Sequence, residues 1–241
     1  MVCIFRKLFC VWLHRGETQS SLKDRKDFNV NIVLMGCPGA GKGTQSAKLQ
    51  DEFQLKHIST GDVLRAEIAS GSELGKKISG IIENGNLVPD ELMISMLENI
   101  VKSTDKGIIF DGFPRTVAQA EALDAMMKRL GREITEVIMI DLPESEVVSR
   151  ITSRRQCKKC GAILHVNPEA PLTKCPACGG ELYTRADDTA EHVKRRLEVY
   201  HNDTLPVKNY YLNSGKYVEI KGNQTPEKVF EDIVNVIKKA K

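Results

Sequence analysis

Apolar positions along the chain switch repeatedly between short continuous runs and helical spacing. Residues 30–35 (VNIVLM) form a β-branched apolar run and read as a buried strand. Residues 42–54 carry Ala47, Leu49 and Phe53 at helical spacing. Residues 60–70 and 73–83 read as two shorter helices, with Gly71 and Gly85 as stops. Pro89 stands where a helix starts, and 91–101 follows with Leu92, Met93, Met96, Leu97 and Ile100. Residues 107–110 read as a strand ending at Asp111, 117–130 as a helix closed by Gly131, 137–142 as a strand and 144–155 as a helix. Residues 156–187 break the rhythm: they are rich in Cys, Pro and Gly, with short strand-like pieces such as 162–166. Helical character returns at Thr189, with Asp188 expected as N-cap and Glu191 as its capping-box partner. A strand over 216–220 and a helix over 227–239 close the pattern. Strands alternating with helices predict an α/β fold, a parallel sheet covered on both faces, with ligands at the carboxyl ends of the strands.

Composition narrows the classes. A chain of 241 residues suits one compact unit with small insertions. A formal charge of +3 is too small to indicate bulk nucleic-acid binding, and no apolar run reaches membrane-spanning length. Three of the seven cysteines are scattered and four form two tight pairs, which does not resemble a secreted disulfide framework. A reducing, cytoplasmic setting is expected. Residues 1–28 open basic and apolar, with no acid before Glu17. They read as an extension outside the folded unit: a tail, sequence upstream of the true start (Val30 as a GTG start), or an organellar presequence. Asp24 and Asp27 argue against the last.

The strand over 30–35 feeds directly into GCPGAGKGT, residues 36–44. Gly36, Gly39, Gly41 and Gly43 allow backbone angles and close approach that a Cβ would block. Amides exposed around Ala40 and the following helix N-terminus favour an anion. Lys42 supplies a full charge to outer phosphates, and Thr44 a hydroxyl near a metal. The hydroxyl residue stands one place later than in the simple Gly-Lys-Ser/Thr pattern, because Gly43 intervenes. A second set follows in HISTGDVLR (57–65) and DGFPRT (111–116), with Gln119 beyond. Asp111, at a strand's carboxyl end, is placed to hold Mg²⁺ through water. Gly112 and Pro114 fix a turn that presents Arg115.

These motifs, in order, resemble those of the adenylate kinases: GCPGAGKGT, STGDVLR, GNLVPDEL, DGFPRT with Gln119, and RADD followed by KRRLEVY. The resemblance runs from about Asn29 to the C-terminus. It implies a P-loop nucleoside monophosphate kinase fold with a central parallel five-stranded sheet. The core would comprise 29–58, 89–150 and 189–241, with a helical NMP-binding insert at 59–88 and a zinc-ribbon-like lid at 151–188. It implies Mg²⁺-dependent transfer of a phosphoryl group from ATP to AMP, giving two ADP, by a monomer with neither nucleic-acid nor membrane partners. It also implies that Thr60, Arg65, Gly112, Arg115 and Gln119 bind AMP, with the backbone of Asn86, Leu87 and Val88 beside the adenine. Arg150, Arg154, Arg185 and Arg196 would surround the transferring group, and Gln224 would lie near the ATP adenine. A carboxamide at 119 suits an adenine edge, since it pairs in both directions. Taken singly, these residues have plainer readings. Arg150 and Arg154, four apart on the helix over 144–155, could be solvated surface; Arg185 could pair with Asp187; Asp188 could only cap its helix. Beside a phosphate loop their co-occurrence favours a site. Phosphoryl transfer asks for alignment, charge neutralisation and water exclusion, which arginines and a closing lid supply.

Cys157-x-x-Cys160 and Cys175-x-x-Cys178 are separated by residues 161–174, and each pair is followed by glycine. That is zinc-ribbon spacing; four thiolates fill a tetrahedral shell and leave no open catalytic position. The insert is too short to bury much core, so the metal is expected to supply its folding free energy. Cys37 reads as a small packed residue. Other readings of the motifs are a UMP/CMP kinase, a GTP-dependent AMP kinase, and a P-loop protein whose ribbon binds nucleic acid. Sparse aromatic residues weaken the last, with only Tyr183 near the ribbon. A regulatory GTPase is disfavoured by the absence of an Asn-Lys-x-Asp stretch.

Overall fold

Five parallel strands carry the fold of the computed structural model, which describes residues 30–83, 88–167 and 172–240. They are β1 (Asn31–Met35), β2 (Lys56–Ser59), β3 (Ile108–Asp111), β4 (Glu136–Asp141) and β8 (Tyr217–Lys221), in the spatial order β2-β3-β1-β4-β8. Every pairing is parallel: Val33 stands beside Phe110 on one side and Val137 on the other, and Met139 beside Glu219. β1 is buried along its whole length and sends alternate side chains to opposite faces. Val33 and Met35 join one core with Phe110, Leu97 and Leu123; Ile32 and Leu34 join another with Ile109, Ile138 and Ile233. Each fully buried aliphatic side chain contributes about 1.5–3 kcal/mol, so the central strand is covered on both faces.

Helices supply that cover. The first core packs against α2 (Thr60–Ala69), α3 (Glu73–Glu83), α4 (Asp90–Lys102), α5 (Val117–Arg129) and α8 (Val207–Asn213). The second packs against α1 (Lys42–Phe53), α6 (Glu144–Thr152), α7 (Ala190–Val199) and α9 (Pro226–Lys239). Gly71 and Gly131 both adopt positive φ just after their helices, as the stops require. The expected stop at Gly85 lies outside the described residues, as do Asn86, Leu87 and residues 1–29.

Two local expectations are corrected, and one strand was not anticipated. The helix read over 144–155 ends at Thr152, and Arg154–Cys157 is instead strand β5, pairing antiparallel with β6 (Ile163–His165) and β7 (Leu182–Tyr183) in a separate three-stranded sheet. Thr189, not Asp188, caps α7: its hydroxyl accepts from the His192 amide, in place of the Asp188–Glu191 box. The edge strand β2 has no apolar run to announce it, because only Ile58 of its four residues is buried. A π-helical turn over Tyr200–Thr204 joins α7 to the segment leading into α8.

Candidate active site

The carboxyl ends of β1, β2 and β3 converge on one region, where the sheet delivers the phosphate loop, Ser59 and Asp111 together. Positive φ at Gly36, Gly39 and Gly41 turns the loop from β1 into α1. A Cβ on Gly36 would stand 2.7 Å from the Ile140 carbonyl oxygen, so only glycine lets the loop leave the sheet there. Lys42 Nζ donates to the carbonyls of Gly36, at 2.8 Å, and Cys37, at 3.1 Å. Desolvation pulls its ammonium below the ordinary lysine value, and the facing Asp111 carboxylate opposes that shift. Thr44 is half-buried in the first turn of α1. Ile163 of β6 reaches within 3.3 Å of the Cβ position of Gly43, so the small sheet stands over the loop, and Ala40 is buried beneath. Cys37 is buried, and its thiol is pushed up by that burial.

Asp111 directs Oδ2 into the same space, 3.7 Å from the Gly43 Cβ position and 3.3 Å from His57 Nε2. A carboxylate beside a phosphate loop is the hard oxygen donor that suits Mg²⁺. The next residues form a tight turn. Thr60, 2% exposed, donates from Oγ1 to the Gly112 carbonyl, and a Cβ on Gly112 would crowd that hydroxyl. Arg115 Nε donates to the same carbonyl. Gln119 is buried, and its amide is engaged at both ends: Oε1 accepts from the Arg115 backbone N–H at 2.8 Å, and Nε2 donates to Asp90 Oδ1 at 2.6 Å. Val88, just before α4, is buried in the core.

Five of the six candidate arginines, Arg65, Arg115, Arg154, Arg185 and Arg196, converge on this region. Arg65 and Arg154 both press on Arg185, lowering its affinity for its proton after the larger effect of desolvation. Arg154 and Arg115 do the same to Arg196, again after desolvation. Arg115 and Arg196 face Lys42. A cluster of mutually repelling cations is a binding site for polyanions. Arg150 turns elsewhere: its guanidinium bonds Glu146 Oε2 at 2.9 Å and the Gly222 carbonyl at 3.3 Å. Gln224 bonds the Lys221 carbonyl and Asp232.

The counter-ions differ from their sequence reading. Asp188 is no cap. Its carboxylate, fully buried, holds Arg154 through two hydrogen bonds and lies 3.8 Å from Arg196. Arg154 is thus no solvated helix-surface residue. Asp187 pairs with Arg196 at 3.0 Å rather than with Arg185. Burial opposes the charge of Asp187, but Arg196, Arg154 and Arg185 overcome it and hold the carboxyl below 3.8. Arg185 Nε donates to Gln156 Oε1, which also accepts from Tyr183. His57, Asp90 and Gln156 escaped the sequence reading; the first two lie inside the quoted motifs HISTGDVLR and GNLVPDEL.

The sulfurs of Cys157, Cys160, Cys175 and Cys178 lie within 4.8 Å of one another. Cys157 and Cys178 are 3.5 Å apart, and Cys160 and Cys175 3.7 Å. A tetrahedral shell with metal–sulfur bonds of about 2.3 Å separates its sulfurs by roughly 3.8 Å, so the donor set fits one ion. Backbone hydrogen bonds from Cys160 and Lys159 pull the Cys157 thiol down while its neighbour Cys178 is pushed up, so the paired sulfurs favour one thiolate between them. Gly180 makes the packing feasible, since a Cβ there would lie 2.7 Å from Cys157 Sγ. Among the described residues no helix is long and apolar enough to cross a membrane.

A family model described as adenylate kinase matches residues 34–216. The adenylate kinase of Elusimicrobium minutum is 47% identical over 212 residues, covering 87% of this chain and 99% of the relative. Those of Carboxydothermus hydrogenoformans and Archaeoglobus fulgidus are each 45% identical, over 214 and 216 residues, covering 87% and 88% of this chain and the whole of each relative. The parallel sheet, the phosphate loop, the converging cations and this likeness over most of the chain agree: it belongs to the adenylate kinase family.

Proposed function

We propose that the chain catalyses ATP + AMP ⇌ 2 ADP through the cationic cluster that faces the phosphate loop. The gathering of cations at the phosphate loop carries this reading: Arg115 and Arg196 face Lys42, and Arg154 faces both Arg185 and Arg196, a crowding of like charge that a bound polyanion would offset. In this reading Gly39–Thr44 wraps the ATP phosphates, and Lys42 leaves the loop carbonyls to neutralise the outer ones. Arg65 and Arg115 hold the AMP phosphate. Thr60, Gly112, Gln119 and the backbone over 86–88 hold its nucleoside. Arg154, Arg185 and Arg196 close around the transferring group, while Arg150 and Gln224 serve the ATP side from the β8 end. Asp111 would be the residue that holds Mg²⁺ arriving with ATP, and the ion would supply charge to offset that of the phosphates. Residues 59–88 act as the AMP-side insert and 151–188 as the lid. Zn²⁺ at the four cysteines holds the lid's shape and takes no part in chemistry. The unit works as a cytoplasmic monomer.

The test is diphosphate formation from Mg²⁺-ATP with each nucleoside monophosphate. AMP is expected to outrun UMP, CMP and GMP, and Lys42→Ala and Arg115→Ala to lose about 10²–10³-fold in kcat each while still melting cooperatively. Turnover preferring UMP or CMP, or near-normal rates for either variant, would overturn the assignment.

A further inference from the structure

Gln119 is held from two sides by groups that cannot exchange roles. The Arg115 backbone N–H only donates and faces Oε1 at 2.8 Å; the Asp90 carboxylate only accepts and faces Nε2 at 2.6 Å. Rotating the amide by a half-turn would set Nε2 against a donor and Oε1 against a carboxylate. Both contacts would then repel, in a side chain that is 3% exposed and has little water to turn to. The chemistry of the neighbours therefore fixes which way the amide points.

A primary amide has two N–H donors and two acceptor lone pairs. The two clamps use one of each and leave one of each. That remainder matches adenine, whose N1 accepts and whose N6 amino group donates. Hypoxanthine and guanine, whose N1–H donates and whose O6 accepts, offer the same two groups in the opposite order, so a base seated with N1 against Nε2 and its 6-substituent against Oε1 pairs only as adenine. A freely rotating glutamine would read either edge equally well. We propose that Asp90 is a specificity-determining positioning residue, which selects 6-amino over 6-oxo purine monophosphates by locking the orientation of the Gln119 amide.

Sequence position makes the placement economical. Asp90 opens α4, and Gln119 lies in the first turn of α5 beside its Thr116 cap, so two packed helices bring their N-terminal ends together. The proposal rests on Gln119 contacting the AMP base. It adds that Gln119 alone does not discriminate. The plainer role for Asp90 is an acid in the first turn of a helix, stabilising α4 through its dipole. That role predicts a lower melting temperature and equal losses with every acceptor.

The experiment compares kcat/KM for AMP and IMP, the 6-oxo isostere, in wild type, Asp90→Asn, Asp90→Ala and Gln119→Ala, with thermal unfolding of each. Asn at 90 keeps the shape but can donate or accept, so it no longer forces one orientation. Wild type is expected to prefer AMP, and both Asp90 variants to lower the AMP:IMP ratio by about 5- to 100-fold. The Arg115 N–H still opposes the flip, so the ratio relaxes without inverting. Unchanged ratios in both Asp90 variants, alongside a ratio lost in Gln119→Ala, would overturn the role of Asp90 and leave Gln119 as base reader. An unchanged ratio in Gln119→Ala would overturn both.

Discussion

At Asp124 burial and two tyrosine hydroxyls pull one carboxyl in opposite directions. Desolvation raises its affinity for a proton, and hydrogen bonds from Tyr210, at 3.0 Å, and Tyr211, at 3.5 Å, only partly offset this. The same contacts push the Tyr210 hydroxyl up to about 12, after the larger effect of burial, so the tyrosine donates throughout the ordinary pH range. The pair ties α8 to α5 across the first core. Because the folded-state value lies above the unfolded 3.8, the folded chain binds the extra proton. Stability from this group is then full below 3.8 and falls as pH rises through the folded value. Asp124→Asn removes the ionisation while keeping an oxygen that accepts. Its stability relative to wild type is expected to improve as pH rises from below 3.8 toward neutrality. Paired denaturant titrations along that pH range measure this, and a relative stability that worsens with pH would refute it. Nothing in the sequence marked Asp124, since its partners lie 86 and 87 positions away.

Among elements, legibility follows the range of the interactions. The phosphate loop was readable because its glycines, lysine and flanking strand and helix are contiguous, and the structure places them together. The helix stops at Gly71 and Gly131 were equally local. Arg154 was misplaced because its strand exists only through pairing with His165 and neighbouring positions, and its counter-ion Asp188 stands 34 residues on. Edge strand β2 was passed over because Ile58 alone of its four residues is apolar and buried, so no hydrophobic run marks it. The small sheet itself has few means of support: its three strands hold 4, 3 and 2 residues, with Cys157 and Cys175 among its few buried side chains. Metal binding at the four cysteines is then expected to be its main source of order. Removing the ion with a chelator is expected to raise hydrogen exchange across β5–β7 while β1, β3 and β4 stay protected, and one zinc per chain is expected by elemental analysis. Equal protection of β5–β7 after verified metal loss would refute a structural role. Gly180→Ala is expected to weaken metal retention in the same assay, because its Cβ collides with Cys157 Sγ and Lys159 Cβ.

For the whole molecule, the proposed arrangement is two anion sites that share one field. Lys42 and the loop belong to the face built by α1, while Arg65 and Arg115 belong to α2 and the turn before α5, yet Arg115 lies close enough to add to the depression of Lys42 that burial begins. A ligand that binds only the folded state stabilises it by about 2.7 kcal/mol at a hundredfold excess over its dissociation constant. Two separable sites therefore predict two separable increments. In buffer free of Mg²⁺, with each nucleotide added singly, ATP and AMP are each expected to raise the melting temperature of the wild type. Lys42→Ala is expected to lose most of the ATP increment and keep that of AMP; Arg115→Ala is expected to do the reverse. Loss of both increments in both variants would mean that the cluster acts as one undivided anion sink, and that the division of labour between loop and turn is wrong. Retention of both in Lys42→Ala would mean that the backbone amides of the loop hold ATP without the lysine, which would then act on the transferring charge alone.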